Sequence, residues 1–255
     1  MEYGLKGKTA IVTGGTRGLG LAVAEKLIDE GANVCIAAHN PSEEALKTIE
    51  ALNERGEAKA IFVKADVADE TSVDELFERT VEVFGRVDIV INNAGIWLTS
   101  YVKDMSVEDF RRTLDVNLVG PFLLCRKAVN YWLDHGYKGK IVNMTSQAAF
   151  HGSTSGHAHY ASSKAGLVGF TISLAREVAP YGINVNAVAP GIMETKMVSA
   201  IVDDPERRKK YIERIPLRKV ATPEEVARIV LFLCGKQSDY MTGATLDATG
   251  GMLMR

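Results

Sequence analysis

The sequence predicts an α/β protein on one doubly wound, parallel, seven-stranded sheet with helices on both faces. Three observations predict it. Short apolar runs such as DIVIN (88–92) and KIVNM (140–144) are continuous rather than alternating, as in strands buried on both faces. These runs alternate with helix-length amphipathic stretches, the pattern of right-handed strand–helix–strand crossovers. No Pro/Gly/Ser linker, charge block, repeat or low-complexity tract divides the 255 residues, so 1–255 reads as one domain.

The elements follow in order. Residues 9–13 (TAIVT) give the first strand, and a glycine-rich turn leads into a helix over 18–30. A strand at 33–38, a helix at 42–55, a strand at 60–64 and a helix at 71–84 follow. The fourth strand falls at 87–92, and one long helix is expected over 107–134. Strands at 140–145 and 184–189 flank a helix at 160–179. In TPEEVARIVLFLC, Thr222 is the N-cap candidate, Pro223 takes the first helical position and Glu224 and Glu225 fill the first turn, predicting a helix over 223–234. A last short strand closes the sheet at 245–247.

Composition excludes several classes. Hydrophobic residues are 46% and charged residues 24%, ordinary for a globular chain with a sizeable core. A net charge of −2 gives no field favouring nucleic acid or an anionic membrane. No apolar run reaches the roughly 18 residues a membrane span needs, and the N-terminus has no signal-like apolar core. The basic run Arg207-Arg208-Lys209-Lys210 lies among Asp203, Asp204, Glu206 and Glu213 and reads as a solvated helix face. Cys35, Cys125 and Cys234 are odd in number and embedded in apolar stretches. They are expected to be free buried thiols in a reducing, cytoplasmic setting.

The chemistry begins at TGGTRGLG (13–20), directly after the first strand. Gly14, Gly18 and Gly20 permit a tight turn and let the backbone approach a pyrophosphate, while the helix start offers N–H groups and a positive dipole end. This is the context of a Rossmann-type dinucleotide site. NAD sites place an acid at the end of the second strand for the ribose 2′-hydroxyl. Here Ala38 and His39 stand there, no carboxylate comes before Glu43, and Arg17 is available from the loop. That combination favours NADP(H) over NAD(H).

Further along come Asp66-Val67, NNAG (92–95), Asn117 in DVNLVG, Ser146 in NMTSQ, YASSK (160–164), Pro190-Gly191 and LDATGG (246–251). In this order the motifs resemble the short-chain dehydrogenase/reductase family, over essentially the whole chain. The resemblance implies a catalytic tetrad of Asn117, Ser146, Tyr160 and Lys164. It places the cofactor on Gly14, Thr16, Arg17, Gly18, Leu19 and Gly20, near His39, with Asp66 and Val67 at the adenine and Asn93, Ala94 and Gly95 beside it. Tyr160, Lys164, Pro190, Gly191, Ile192 and Thr195 would meet the nicotinamide end. It also implies a substrate lid over 193–216 and a homotetramer joined through the helices at 107–134 and 160–179. In outline, hydride passes between the nicotinamide and a secondary alcohol or ketone.

The tyrosine and lysine are four apart and share a helix face. An ammonium ~4 Å from a phenolate attracts it by roughly 4 kcal/mol at an effective dielectric near 20. Lowering a phenol pKa by about two to three requires about 3–4 kcal/mol. Tyr160 is therefore expected to be an acid or base near neutrality, with Ser146 stabilising charge on the reacting oxygen and Asn117 holding a water that links Lys164 to solvent.

Ser146 and Tyr160 are one residue further apart than in close relatives, so QAAFHGSTSGHAH must bulge in its glycine- and serine-rich middle. Trp97 and the loop with His151, Ser153, Ser155, His157 and His159 are expected to edge a polar substrate pocket, with no metal. A small sugar, sugar acid or polyol suits it. The alternative is a 3-oxoacyl-carrier-protein reductase. Such reductases present two arginines to the acidic carrier, and this chain has Tyr137 and Tyr181 at those places, with Lys138, Lys140 and Arg176 nearby. A non-catalytic NADP(H) sensor is a further class on the same fold, but all four tetrad residues are present.

Overall fold

A computed structural model describes residues 2–153, 155–196 and 203–254. Seven strands, β1 Thr9–Thr13, β2 Asn33–Ala38, β3 Ala60–Lys64, β4 Ile89–Asn92, β5 Lys140–Met144, β6 Asn184–Pro190 and β7 Thr245–Ala248, form one sheet. Its order is β3-β2-β1-β4-β5-β6-β7 and every pairing is parallel. The chain winds outward one way from β1 and then the other way from β4. The crevice at that reversal, outside the carboxyl ends of the strands, is where such sheets bind ligands.

Alternation along the strands builds two cores. Ala10 and Val12, Val34 and Ile36, Ile89 and Ile91, Val142 and Met144 face helices α1 (Gly18–Asp29), α2 (Glu43–Leu52) and Pro223–Cys234. Ile11, Cys35, Val90, Ile141 and Val185 face the other way, toward α3 (Glu70–Phe84), and toward residues of the fifth and seventh helices, Gly120–His135 and Ala158–Val178. Trp132 is fully buried on that side and its indole N–H donates to the Val87 carbonyl at 2.7 Å. All three cysteines are free and buried, and burial pushes each thiol up to about 12, so they pack as small apolar groups.

The expected long helix over 107–134 is broken. It becomes α4 (Val107–Leu114), a π-helical turn (Asp115–Val119) and α5 (Gly120–His135). Two residues explain the break. A Cβ on Gly120 would lie 2.9 Å from the Val67 carbonyl oxygen, so the helix approaches the loop after β3 there as only glycine allows. Pro121 lacks the N–H that would close on the Asn117 carbonyl in a continuous α-helix. The widened turn bonds Gly120 N–H to Asp115 instead and buries Asn117. The loop before the seventh helix holds a short helix, α6 (Ala148–His151), not anticipated from the sequence. The region 193–216 adds α8 (Pro205–Ile212), capped by Asp204, before α9 (Pro223–Cys234), whose Thr222 and Glu225 make a reciprocal capping box. Residues 197–202 of the expected lid lie outside the described residues.

Candidate active site

The glycine loop is locked onto the end of β4. Thr13 Oγ1 accepts from the N–H groups of Asn93 and Ala94, each at 3.1 Å. Asn93 Nδ2 donates back to the carbonyls of Thr13 and Gly14 at 3.0 and 3.1 Å. Gly14 has φ +65°, and a Cβ there would stand 2.9 Å from Ala94 Cα. On Gly20 a Cβ would meet the Gly14 oxygen at 2.3 Å. These glycines are required by backbone contact, before any ligand is considered.

The start of α1 is left open to an anion. Arg17 occupies its N-cap without a side-chain cap bond, and no acid lies in the first turn. Ser42, Asp69, Ser106, Asp204 and Thr222, by contrast, each cap their helix with a side-chain oxygen. An uncapped N-terminus behind a glycine turn suits a phosphate. Thr195 closes the far side, its Cγ2 lying 3.4 Å from where a Gly18 Cβ would be. Thr16 is half-buried, Leu19 buried and Arg17 exposed.

At the neighbouring edge, His39 is exposed at the end of β2, and Ala38 pairs with Lys64, also exposed. Asp66 is turned elsewhere: it accepts from Ala68 N–H at 3.0 Å and pairs with Arg112 at 3.4 Å. Partial burial works against its charge, but the Ala68 N–H and Arg112, with His39, hold the carboxyl below its usual range. Val67 packs against Gly120.

The four tetrad residues converge beside this loop, at the carboxyl ends of β4 and β5. The Ser146 hydroxyl lies close enough to the Tyr160 phenol to favour its charged form. Lys164 Nζ lies 5.8 Å from the Tyr160 ring centroid and donates to the Met144 carbonyl at 2.7 Å. A Cβ on Gly95 would be 3.2 Å from Asn117 Oδ1 and 3.7 Å from Lys164 Nζ. The Asn117 side chain is fully engaged. Oδ1 accepts from Ile96 N–H at 2.9 Å, and Nδ2 donates to the Ile96 carbonyl at 3.0 Å and to Ser163 Oγ at 3.1 Å. Ser163 in turn donates to the Tyr160 carbonyl at 2.7 Å.

One expectation is corrected. Tyr160 is not made acidic by its surroundings: burial pushes its phenol up, with the Ser146 hydroxyl pulling only partly the other way. Lys164 is pushed down to about 8 by burial. The pairwise attraction counted from sequence omitted the desolvation of both groups, and desolvation wins here.

The family described as Enoyl-(Acyl carrier protein) reductase matches residues 14–253. A 3-oxoacyl-[acyl-carrier-protein] reductase of Aquifex aeolicus is 40% identical over 252 residues, covering 99% of this chain and 100% of that one. A 3beta-hydroxysteroid dehydrogenase 1 of Eggerthella lenta is 42% identical, covering 98% and 95%. Among solved structures, a candidate gluconate dehydrogenase of Agrobacterium tumefaciens superposes with a TM-score of 0.93 at 35% identity, covering 100% and 99%. A candidate 2-deoxy-D-gluconate 3-dehydrogenase of the same organism, with bound NADP, gives 0.90 at 35%, covering 100% and 99%.

The chain belongs to the short-chain dehydrogenase/reductase family. It is thus an NAD(P)-dependent oxidoreductase acting on CH–OH groups. The residues present fit a dinucleotide: the glycine cradle is held open where side chains would fill it, and the first turn of α1 carries no competing cap.

In the loop between Ser146 and Tyr160, Gly152 and Gly156 are both at positive φ. This loop docks on the segment after β4. Ser100 N–H donates to the Gly156 carbonyl at 2.8 Å. The His157 ring stacks on Trp97 with centroids 4.2 Å apart, and its two nitrogens hydrogen-bond with Thr99 and Ser153 at 3.0 and 3.2 Å. Burial, then His159, push His157 down, toward its neutral form. His157 is therefore a buried strut, whereas His151 is exposed on α6. Pro190 and Ile192 are buried and Gly191 half-buried at the end of β6.

Sequence reasoning missed Gln147 and Tyr211. Gln147 Nε2 donates to the Tyr211 hydroxyl at 2.7 Å, joining the residue after Ser146 to α8. Tyr211 packs with Ile212 and Met252 on a small core of Ile192, Ile215 and Val220. Adjacency to Ser146 was the only signal for Gln147, and Tyr211 stood in a run read as solvated charge.

Proposed function

We propose that this short-chain dehydrogenase/reductase interconverts a secondary alcohol and a ketone on a small polyhydroxylated molecule, a sugar, sugar acid or polyol, with NADP(H) favoured over NAD(H). The observation that carries the reading is the placement of Lys164 Nζ 5.8 Å from the Tyr160 ring and 2.7 Å from the Met144 carbonyl, against Gly95 and with Ser146 beside the phenol, at the strand ends that hold the glycine loop. The nicotinamide, when bound, supplies or accepts the hydride. Tyr160 gives or takes the proton on the substrate oxygen, and Ser146 bonds that same oxygen as its charge develops. Lys164 holds positive charge next to the phenol and bonds the ribose. The Asn117 carbonyl, which Pro121 cannot engage in an α-helical bond, is the anchor for a water serving Lys164, since the Asn117 side chain is taken up by Ile96 and Ser163.

Cofactor choice is supported by the corner at Ala38. His39 and Lys64 are exposed there, Arg17 is exposed on the adjoining glycine loop and Asp66 is engaged with Arg112, an arrangement suited to a 2′-phosphate. The substrate class is supported by the hydroxyl-rich loop at 152–156 and by the likeness to the Agrobacterium proteins.

A second reading, reduction of a 3-oxoacyl thioester on carrier protein, is supported by the Aquifex relative. Against it, Tyr137 and Tyr181 stand where carrier-docking arginines are expected. Lys140 is drawn inward to Asp239, Ser238 and the Gly235 carbonyl, leaving less cationic surface. Turnover of D-gluconate and polyols with NADP, set against reduction of acetoacetyl thioesters with NADPH, decides between them. Cofactor binding without turnover on either panel would identify a sensor. Exposed Phe110, Phe122 and Ile172 on α4, α5 and the seventh helix support assembly as a homotetramer, and the free thiols support a cytoplasmic setting.

A further inference from the structure

Gln147 is a buried amide with half of its bonding complete. Its nitrogen faces the Tyr211 hydroxyl at 2.7 Å, while Oε1 has no partner among the described residues. The residue is only 9% exposed. A buried acceptor without a donor is uncommon and calls for an explanation.

Its placement supplies one. Gln147 N–H donates to the Pro190 carbonyl at 3.1 Å, so the residue is fixed between the ends of β5 and β6. Its helical backbone, φ −51° and ψ −32°, ends the strand alternation that would send the Ser146 and Gln147 side chains to opposite faces. Oε1 stands 3.5 Å from where a Cβ on Gly191 would be, so the oxygen faces the Pro190–Gly191 turn, where no side chain intervenes. Tyr211 is itself held by the Ile192, Ile215 and Val220 cluster, with the Arg214 guanidinium 5.4 Å from its ring centroid.

We infer that Gln147 reads a hydroxyl on the carbon next to the reacting one, accepting a hydrogen bond from it at Oε1. The inference rests on the polyhydroxylated-substrate reading and narrows it. Ser146 and Tyr160 hold the reacting oxygen, and the adjacent residue presents an acceptor, which an O–H completes and a carbonyl does not. A vicinal diol or hydroxyketone fits this pair of contacts; a 3-oxoacyl thioester leaves the acceptor unpaired. Tyr211 is a positioning residue: it holds the amide nitrogen toward α8 and so turns the oxygen toward the Pro190–Gly191 turn.

The test compares D-sorbitol with 2-butanol, oxidised with NADP by the full-length chain. Gln147→Met keeps the volume and removes the acceptor. It is expected to lower kcat/KM for sorbitol by about 10-fold or more, mostly through KM, and to leave 2-butanol within about 2-fold. Gln147→Glu keeps an acceptor oxygen and retains most sorbitol activity. Tyr211→Phe loses discrimination in the same direction, and NADPH affinity, read by fluorescence, is unchanged in all three. Equal loss on both alcohols, no loss on sorbitol, or weakened NADPH binding in Gln147→Met would overturn the inference, the last by showing that the amide serves the cofactor. Wild-type protein that turns over no polyol overturns the polyhydroxylated reading and this inference with it, before any variant is compared.

Discussion

Asn117 and Ile96 bond each other twice, Oδ1 accepting the Ile96 N–H at 2.9 Å and Nδ2 donating to the Ile96 carbonyl at 3.0 Å. A side-chain amide here does the work of a neighbouring strand. It fixes the backbone between Gly95 and Trp97, and through Ser163 it reaches the Tyr160 carbonyl. The segment after β4 is thus referenced to the catalytic helix.

Asn117→Ala should therefore damage architecture as well as chemistry. Two backbone groups of Ile96 lose their partners, at a cost of about 1–3 kcal/mol for a buried unsatisfied group. Urea denaturation should show a loss in this range, with weaker NADPH binding. Full stability with only kcat reduced would mean that the clamp is energetically idle.

Ser146→Ala removes the hydroxyl that offsets burial of the Tyr160 phenol. The phenol should rise further, so the limb of the alcohol-oxidation profile that requires phenolate moves to higher pH, and kcat drops by about 10²-fold or more. The pH profile is the check, since a merely structural loss would lower the rate without moving the limb.

Lys164 bears on stability. Burial pushes its amine down to about 8 in the folded protein against 10.5 ordinarily. Between those values the unfolded chain holds a proton that the folded one has released, so this group makes stability rise with pH there and adds nothing further above about 10.5. The gain is about 3 kcal/mol at most. Denaturation of the wild type and Lys164→Met across pH 8–10 should show a more positive slope in the wild type, the raised thiols contributing the same opposing slope to both.

Arg17→Ser tests the cofactor corner. Loss of a charge-assisted bond to a 2′-phosphate should weaken NADPH by about 10- to 100-fold and NADH little. Equal weakening of both would place Arg17 at the pyrophosphate instead.

The strands and the shared face of Tyr160 and Lys164 were legible because their signals are local. Continuous apolar runs mark buried parallel strands, and Tyr160 and Lys164 share a face by spacing alone. The π-helical turn was not, because one extra residue in a turn leaves the apolar pattern nearly intact, although Pro121 four residues after Asn117 was its trace. Gln147 and Tyr211 meet across 64 residues, with neither carrying a chemical signature. The phenol's upward shift was invisible for a physical reason: attraction between neighbours follows from spacing, whereas desolvation depends on everything packed around them.

The central claim is that Tyr160 moves the proton. The most direct measurement is Tyr160→Phe, followed by nicotinamide absorbance with the best alcohol of the panel and by NADPH titration of the same protein. NADPH affinity within about 2-fold of wild type and turnover reduced by at least about 10²-fold is the expected result. Turnover near the wild-type rate with the phenol gone would contradict the account.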